Sequence, residues 1–179
     1  MSNSILYDAV TLQHLAKVSR LGMLFSIHRY RDEPRWVTAV HQEISVANHL
    51  QHCAAVLSFA WLGTPVSPLT DKEIEEVLNI QGRISFPKPT NPSKNLGEAQ
   101  SIVVAKRLGA IFVTDDRDAF KVAENPQFLG VGKVKTACSL FYEALADGII
   151  TISQIKIDHS TLAAADRVML CTKRGFSCG

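Results

Sequence analysis

The stretch NLGEAQSIVVAKRLGAIFVTDDRDAFKVAEN, residues 95–125, decides the fold class of this chain. It opens with a helical pattern that Asn95 can cap, that runs over Leu96–Leu108 and that Gly109 ends. The apolar run AIFV at 110–113 then predicts a buried strand, because a strand covered on both faces is apolar throughout. Three aspartates follow this strand within four positions, and they are Asp115, Asp116 and Asp118.

The rest of the chain continues this alternation of strands and helices. A strand is predicted over Ser4–Tyr7, and a capping-box pattern at Thr70 and Glu73 begins a helix that reaches about Ile80. Further helices are predicted from residue 9 onward and over 36–48, 51–61, 116–124 and 133–146, with short strands over 64–67 and 128–131. The segments HRYRDEPRW (residues 28–36) and 82–92 contain prolines and are interpreted as loops. This pattern predicts an α/β fold with a mostly parallel central sheet flanked by helices.

Length and composition indicate a single domain. The chain has 179 residues, and we assign 1–150 to the domain and 151–179 to a C-terminal helical extension packed on it, helical in the second half of 151–170. The formal net charge of +2 provides no general attraction for a polyanion, so nucleic acid would need a local basic patch or metal ions.

The cysteines and the terminal segments indicate a cytoplasmic protein without a membrane partner. Cys53, Cys138, Cys171 and Cys178 lack Cys-x-x-Cys spacing and are expected to be reduced thiols. The N-terminus lacks the basic and apolar regions of a signal peptide, and no apolar run is long enough to span a bilayer. The six histidines show no metal-ligand spacing and are expected in surface or capping roles.

Carboxylates from distant parts of the chain are expected at one edge of the sheet. Asp8 ends the first predicted strand, and Asp116 follows the AIFV strand, so both lie at the carboxyl ends where parallel sheets bind ligands. Glu98 begins a helix antiparallel to that strand, which brings it to the same edge. Crowded carboxylates repel each other unless a cation neutralises them, and hard oxygen donors favour Mg²⁺ or Mn²⁺.

Each acid also has a purely structural explanation. Asp8 could cap the first helix, Glu98 occupies the capping-box position after Asn95, and the aspartates after the strand could favour a helix N-terminus through its dipole. Capping explains each acid taken alone. It does not explain why three helix starts at the same edge of the sheet all carry carboxylates.

Three segments resemble a PIN domain: ILYDAVTLQHL (5–15), EAQSIVVAKRLGAIFVTDDRDAF (98–120) and FLGVGKVKTACSLFYEALADGIIT (128–151). This is the nuclease fold of ribosome-associated and RNA-decay enzymes and of the toxin in VapBC-like toxin–antitoxin pairs. The resemblance covers about Ser4–Thr151 and implies a PIN-like three-layer sandwich.

The resemblance also implies the site residues. The catalytic acids would be Asp8, Glu43, Glu98 and Asp116, and the ligands of one or two Mg²⁺ or Mn²⁺ ions would be Asp8, Glu98, Asp116 and Asp118. Thr114 matches a hydroxyl residue that supports the metal site, and Asp115 beside it is interpreted as a supporting or solvated acid. Glu43 depends on the resemblance alone, since topology offers no reason for it to reach this edge.

The implied function is a metal-dependent endoribonuclease that cleaves single-stranded or structured RNA by in-line attack of metal-activated water, leaving 5′ phosphate and 3′ hydroxyl ends. As a toxin it would have a cognate antitoxin partner and form a homodimer. Candidate RNA contacts are Arg83, Lys94 and Arg117, with further candidates at Arg29, Arg31, Arg35 and Lys88.

Two other functions are compatible with the sequence. One is a catalytically inactive PIN-like module that binds RNA or protein. The other is a phosphotransfer receiver domain, which needs a lysine after a late strand and a phosphorylatable aspartate on a middle strand, and neither is clearly placed here.

Overall fold

A computed structural model of the chain describes residues 3–28, 32–85, 91–165 and 169. Four strands form one parallel sheet in the order β2-β1-β3-β4. The strands are β1 (Asn3–Tyr7), β2 (Asp32–Arg35), β3 (Ile111–Val113) and β4 (Val134–Lys135). The predicted α/β class is confirmed, and the parallel sheet flanked by helices is compatible with a three-layer sandwich.

The described helices are α1 (Ala9–Lys17), α2 (Leu21–His28), α3 (Thr38–Val46), α4 (Gln51–Leu57), α5 (Asp71–Ile84), α6 (Leu96–Leu108), α7 (Arg117–Ala123), α8 (Ala137–Ala146) and α9 (Ile152–Ala164), with a 3₁₀ helix at Ala60–Leu62. Helix α6 packs on β1 and β3 and against α3, α5 and α7, whereas α8 packs against α1 and α2. None of the described helices is both long and apolar enough to cross a membrane.

The chain direction changes between β1 and β3. From β1 the chain crosses to β2 on one side, and from β3 it crosses to β4 on the other. Because parallel crossovers are right-handed, the helices that follow β1 and β3 lie on opposite faces of the sheet. The carboxyl ends of these two neighbouring strands therefore form the crevice in which open parallel sheets bind ligands.

The two central strands are buried on both faces, as their apolar runs predict. Ile5, Leu6 and Tyr7 of β1 are at most 1% exposed, and Phe112 and Val113 of β3 are fully buried. Residues that follow these strands directly are consequently positioned by a buried core.

The helix signals nearest the site are confirmed. Helix α6 has the predicted bounds and ends at Gly109, whose left-handed backbone (φ 62) is the usual helix stop. The capping box at Thr70 and Glu73 is formed. Helix α5 continues to Ile84, four residues beyond the predicted end, and residues 86–90 of the predicted loop lie outside the described residues.

The loop assignment for HRYRDEPRW is wrong on both sides of residues 29–31, which the structure does not describe. Helix α2 reaches His28, and Asp32–Arg35 form β2, with Ile5 of β1 opposite Pro34. Proline cannot donate to a ladder, but β2 is an edge strand, where that donor is not needed.

The strand predicted over residues 128–131 is also wrong. Gly130 and Gly132 have φ of 81° and 86°, so this segment turns, and the strand forms later at Val134–Lys135. Residues 64–67 make a single bridge, Val37 to Val66, rather than a strand. In the tail, α9 begins at Ile152, earlier than predicted, because Thr151 and Gln154 form a capping box, and it reaches Ala164 in the second half of 151–170.

Candidate functional site

Asp8 is a fully buried carboxylate where β1 meets α1. Its backbone N–H donates to the Val113 carbonyl at 3.1 Å, which joins β1 to β3 one residue past the strand. Oδ1 accepts from the Thr11 N–H at 2.7 Å and caps α1, while Oδ2 accepts from the Thr114 hydroxyl at 2.5 Å. Burial raises the pKa of Asp8 to about 7, although both hydrogen bonds oppose the rise. The capping role is present, but neutral side chains cap helices as well, so capping does not account for a buried charge.

Thr114 connects Asp8 to Asp116. Its hydroxyl donates to Asp8 and accepts from the Asp116 N–H at 3.1 Å. Asp116 caps α7, since its Oδ1 accepts from the N–H groups of Asp118 at 2.9 Å and Ala119 at 2.7 Å. Within the described part of the chain Oδ2 of Asp116 accepts no hydrogen bond, so this oxygen remains available to a ligand.

Glu98 lies in the first turn of α6 and is 6% exposed. Burial is the main cause that raises its pKa to about 8, and the charges of Asp8, Glu43 and Asp116 raise it further. The capping-box explanation for Glu98 is wrong, because Asn95 has a left-handed backbone (φ 59) and makes no side-chain capping bond. Among the described residues, only the backbone N–H of Glu98 itself donates a hydrogen bond to this carboxylate.

Glu43 reaches Glu98 from α3, which follows β2 and starts at the same edge of the sheet. Helices α3 and α6 approach closely at Gly97, where an added Cβ would lie 3.0 Å from Val40 Cγ2 and 3.7 Å from Glu43 Oε2. The Glu43 side chain is exposed at the surface, but partial burial of its carboxylate against α6 raises its pKa. We call Asp8, Glu43, Glu98 and Asp116 the acid cluster.

Asp115 forms its hydrogen bonds outside the acid cluster, although its charge also contributes to the raised pKa of Asp8. It is buried, and its Oδ2 lies 2.7 Å from Nδ1 of His14 on α1, which is also buried. Its Oδ1 accepts from the Ala137 N–H at the start of α8 at 3.0 Å. The interpretation of Asp115 as a solvated acid is therefore wrong, as is the surface or capping role expected for His14. The signal that could have revealed His14 is its position between Leu12 and Leu15 on the buried face of α1.

Asp118 also lies apart from the acid cluster. Its carboxylate is exposed and 3.7 Å from Lys121 Nζ, and it contributes only its backbone N–H to Asp116. The structure thus brings together the four acids expected to be catalytic, but it leaves Asp118, one of the four expected metal ligands, on the surface of α7.

Two of the three main candidate RNA contacts flank the acid cluster along the chain. Lys94 precedes α6 and is exposed, with its carbonyl held by Gln81 Nε2 at 2.7 Å. Arg117 is the first residue of α7 and is exposed directly beside Asp116 in sequence.

The other basic candidates are engaged elsewhere or lie outside the described residues. Arg83 donates to Asn79 at 2.9 Å, and its guanidinium stands 5.4 Å from the Phe128 ring centre, so it would have to leave these contacts to bind RNA. Arg35 pairs with Glu33 at 2.5 Å. Arg29, Arg31 and Lys88 lie outside the described residues.

The acid cluster fits a divalent cation in its chemistry, although its side chains do not converge on one position in this conformation. Among residues 3–28, 32–85, 91–165 and 169, no three His, Cys, Asp or Glu side chains are arranged to hold a metal ion. The cluster nevertheless offers hard oxygen donors, and no lysine, arginine or histidine of these ranges forms an ion pair with any of its members. A cation is the partner that would relieve the repulsion acting on Glu98.

Comparisons with protein-family models, curated proteins and solved structures yield no match for this chain.

Proposed function

We propose that the protein is a metal-dependent endoribonuclease that cleaves single-stranded or structured RNA, with the acid cluster as its active site. The observation that carries this proposal is the gathering of four carboxylates from four separate elements at the carboxyl ends of β1 and β3, with no described basic side chain paired to them. Burial raises the pKa of Asp8, Glu43 and Glu98, so ionising these carboxylates in the folded chain has a cost in folding stability. Sites that tolerate such a cost are candidates for function.

Asp8, Glu98 and Asp116 would hold one or two Mg²⁺ or Mn²⁺ ions. The bound ions would supply an activated water and neutralise the charge that develops on the phosphoryl oxygens. Thr114 orients Asp8 by donating to its Oδ2, and Glu98 must release its proton when a cation binds, so that binding is linked to proton release. Glu43 has the most exposed side chain of the cluster and is the member best placed to exchange protons with solvent.

Lys94 and Arg117 are the side chains that we assign to the RNA backbone. Both are exposed, and each belongs to the segment that carries one acid of the cluster, Lys94 before Glu98 and Arg117 after Asp116. Basic side chains beside an acidic centre attract the RNA phosphates, which the acids themselves repel.

We further propose that the nuclease is the toxin of a toxin–antitoxin pair, acting as a homodimer whose antitoxin covers the acid cluster. The support for this part is the sequence resemblance. Gene context tests it, because a small upstream reading frame that encodes a DNA-binding protein is expected for a toxin and not for a housekeeping nuclease.

The test of the nuclease proposal is cleavage of a single-stranded RNA pool by the purified protein in Mn²⁺. We expect products with 5′ phosphate ends, no cleavage in EDTA, and a loss of roughly 100-fold or more in Asp116→Asn, at least the loss expected for residues that support a metal. The matched control is Glu75→Gln, which removes an exposed carboxylate from α5. Cleavage that survives EDTA, or an Asp116→Asn protein with full activity, would reject the mechanism.

A catalytically inactive PIN-like binding module is the second candidate. It is favoured by the hydrogen bonds that occupy both oxygens of Asp8 and by the absence, among the described residues, of three side chains arranged for a metal. For such a module we expect RNA binding that is the same in EDTA and in Mn²⁺, and no Mn²⁺ binding by electron paramagnetic resonance.

A further inference from the structure

His14 and Asp115 form a buried contact, and Asp115 stands between Thr114 and Asp116 in the loop after β3. His14 is 2% exposed and Asp115 is 8% exposed, and the contact joins residues 101 positions apart. A carboxylate oxygen accepts, so the His14 Nδ1 carries the proton and donates. With the Ala137 N–H on its other oxygen, Asp115 has hydrogen bonds on both sides, one from α1 and one from α8.

The contact fixes the loop that carries two residues of the proposed site. Asp115 lies between Thr114, which donates to Asp8, and Asp116, whose N–H donates to Thr114. Helix α1 therefore holds this loop at two points, through Asp8 at its start and through His14 six residues later, which is about 9 Å further along the helix. A loop attached at one point can rotate about that point, whereas attachment at two points prevents rotation.

Capping of α8 does not explain the bond between Asp115 and His14. Helix α8 is capped by Thr136, whose side chain accepts from the Ser139 N–H in a complete capping box. The capping box leaves the Ala137 N–H unpaired, and Asp115 accepts this bond with Oδ1 alone, which leaves Oδ2 free for His14. The bond to Asp115 also requires that the His14 imidazole be buried. Its Nε2 then has no hydrogen-bond partner among the described residues, which is unfavourable for a buried polar atom.

We propose that His14 is a positioning residue of the active site: through Asp115 it holds the loop Thr114–Asp116 so that the Thr114 hydroxyl and the Asp116 carboxylate face Asp8 and Glu98. This proposal rests on the proposed nuclease function for its catalytic readout, and it has a second readout that needs neither metal nor RNA.

The variants separate the donor from the bulk of the side chain. His14→Phe keeps a ring and removes the donor, whereas His14→Asn carries an amide nitrogen near the position of Nδ1. We expect His14→Phe to bind Mn²⁺ about 10- to 100-fold more weakly and to lose kcat by a similar factor, the range usual for partners that orient metal ligands. The KM for RNA should change by less than about threefold, and His14→Asn should recover most of the loss. His49→Phe, which removes an exposed imidazole, is the control.

The metal-independent readout is hydrogen exchange of the Asp116 amide, which donates to Thr114 Oγ1 at 3.1 Å. In EDTA this amide should exchange at least about tenfold faster in His14→Phe than in wild type, with protection restored in His14→Asn. If His14→Phe does not fold, His14→Gln replaces it, because the longer side chain displaces the amide nitrogen from the Nδ1 position.

The outcomes distinguish this proposal from the proposed function. A wild-type protein that neither binds Mn²⁺ nor cleaves RNA overturns the nuclease proposal, while faster exchange in His14→Phe still supports the positioning role. A folded His14→Phe protein with wild-type exchange at Asp116 overturns the positioning role, whatever the wild-type activity. A His14→Asn protein as impaired as His14→Phe overturns it as well, because the donor would then be irrelevant.

Discussion

The Thr114 hydroxyl donates a hydrogen bond to Oδ2 of Asp8 at 2.5 Å, across 106 positions of sequence. Together with the backbone bond from Asp8 to Val113, it joins the carboxyl ends of β1 and β3 at the point where the chain reverses its winding direction. The bond also lowers the pKa of Asp8 against the effect of burial. The ionisation of Asp8, which follows β1, therefore depends on the hydroxyl of Thr114, which follows β3.

Thr114→Val is expected to raise the pKa of Asp8 above about 7 and to weaken Mn²⁺ binding at neutral pH. Valine has nearly the shape of threonine but cannot donate, and a buried acceptor without a donor costs roughly 1–3 kcal/mol of unfolding free energy. The measurements are the Mn²⁺ dissociation constant at pH 6, 7 and 8 and urea unfolding, with Thr114→Ser as the variant that keeps the hydroxyl. Identical pH profiles for wild type and Thr114→Val would contradict the role of this bond.

The metal-free protein is expected to become less stable as pH rises, because the pKa of Glu98 is about 8 in the folded chain against 4.5 ordinarily. An acid with a raised pKa contributes stability that is fully present below its unfolded value and is lost as pH rises through the folded value. Over that window Glu98 contributes up to roughly 5 kcal/mol, at about 1.4 kcal/mol per pKa unit. Asp8 acts in the same direction with its pKa of about 7.

Urea unfolding in EDTA at pH 5.5 and 8.5 measures this loss. Glu98→Gln cannot ionise, so its unfolding free energy should depend less on pH than that of wild type. Addition of Mn²⁺ at pH 8.5 should recover the stability of wild type and much less that of the variant. Equal pH dependence in the two proteins would show that Glu98 is not the group responsible.

Glu43→Gln is expected to lower the pKa of Glu98 from about 8, because it removes one of the charges that raise it. Carbon-13 NMR of the side-chain carboxyl groups measures this pKa directly in the metal-free protein. Glu75→Gln on α5 removes the same charge at an exposed position outside the acid cluster and should leave the Glu98 titration unchanged. If the two variants give the same Glu98 titration, Glu43 does not belong to the acid cluster.

Two helical glycines offer a matched test of the α3–α6 approach. Gly82 on α5 has open space around an added Cβ, so Gly82→Ala should stabilise the protein by about 0.5–1 kcal/mol through helix propensity. At Gly97 the added Cβ would lie 3.0 Å from Val40 Cγ2, a buried side chain. We expect Gly97→Ala to be less favourable than Gly82→Ala by roughly 1–2 kcal/mol in urea unfolding, the cost of slight overpacking. Equal gains in unfolding free energy for both variants would mean that α3 moves away from Gly97 without a measurable cost.

Much of the acid cluster could be predicted from the sequence, because its signals are local. An apolar run followed by Asp8, a second run followed by Asp116, and a helix start at Glu98 place three acids at one edge as soon as the sheet is parallel. Topology provided no such argument for Glu43, because the sequence does not predict β2, the strand that places the start of α3 at this edge. The close packing of α3 on α6 also occurs where Gly97 has no side chain.

The strands at the two edges of the sheet could not be predicted, and the reason is the same for both. Segment Asp32–Arg35 is polar and contains Pro34, and β4 has only two residues after a glycine-rich turn. Such segments become strands because a buried neighbour offers its backbone groups, a condition that lies in another part of the chain.

The amino-acid sequence by itself determined the helices around the site and the two central strands. Thr70 with Glu73, Gly109 and the apolar run at 110–113 act on neighbours within a few residues, so their effect is independent of the rest of the fold. Only the tertiary structure decided that Asp115 turns inward to His14 while Asp116 stays with the acid cluster. Adjacent aspartates carry the same chemical information, and their different roles come from the different directions in which consecutive residues point after the strand ends.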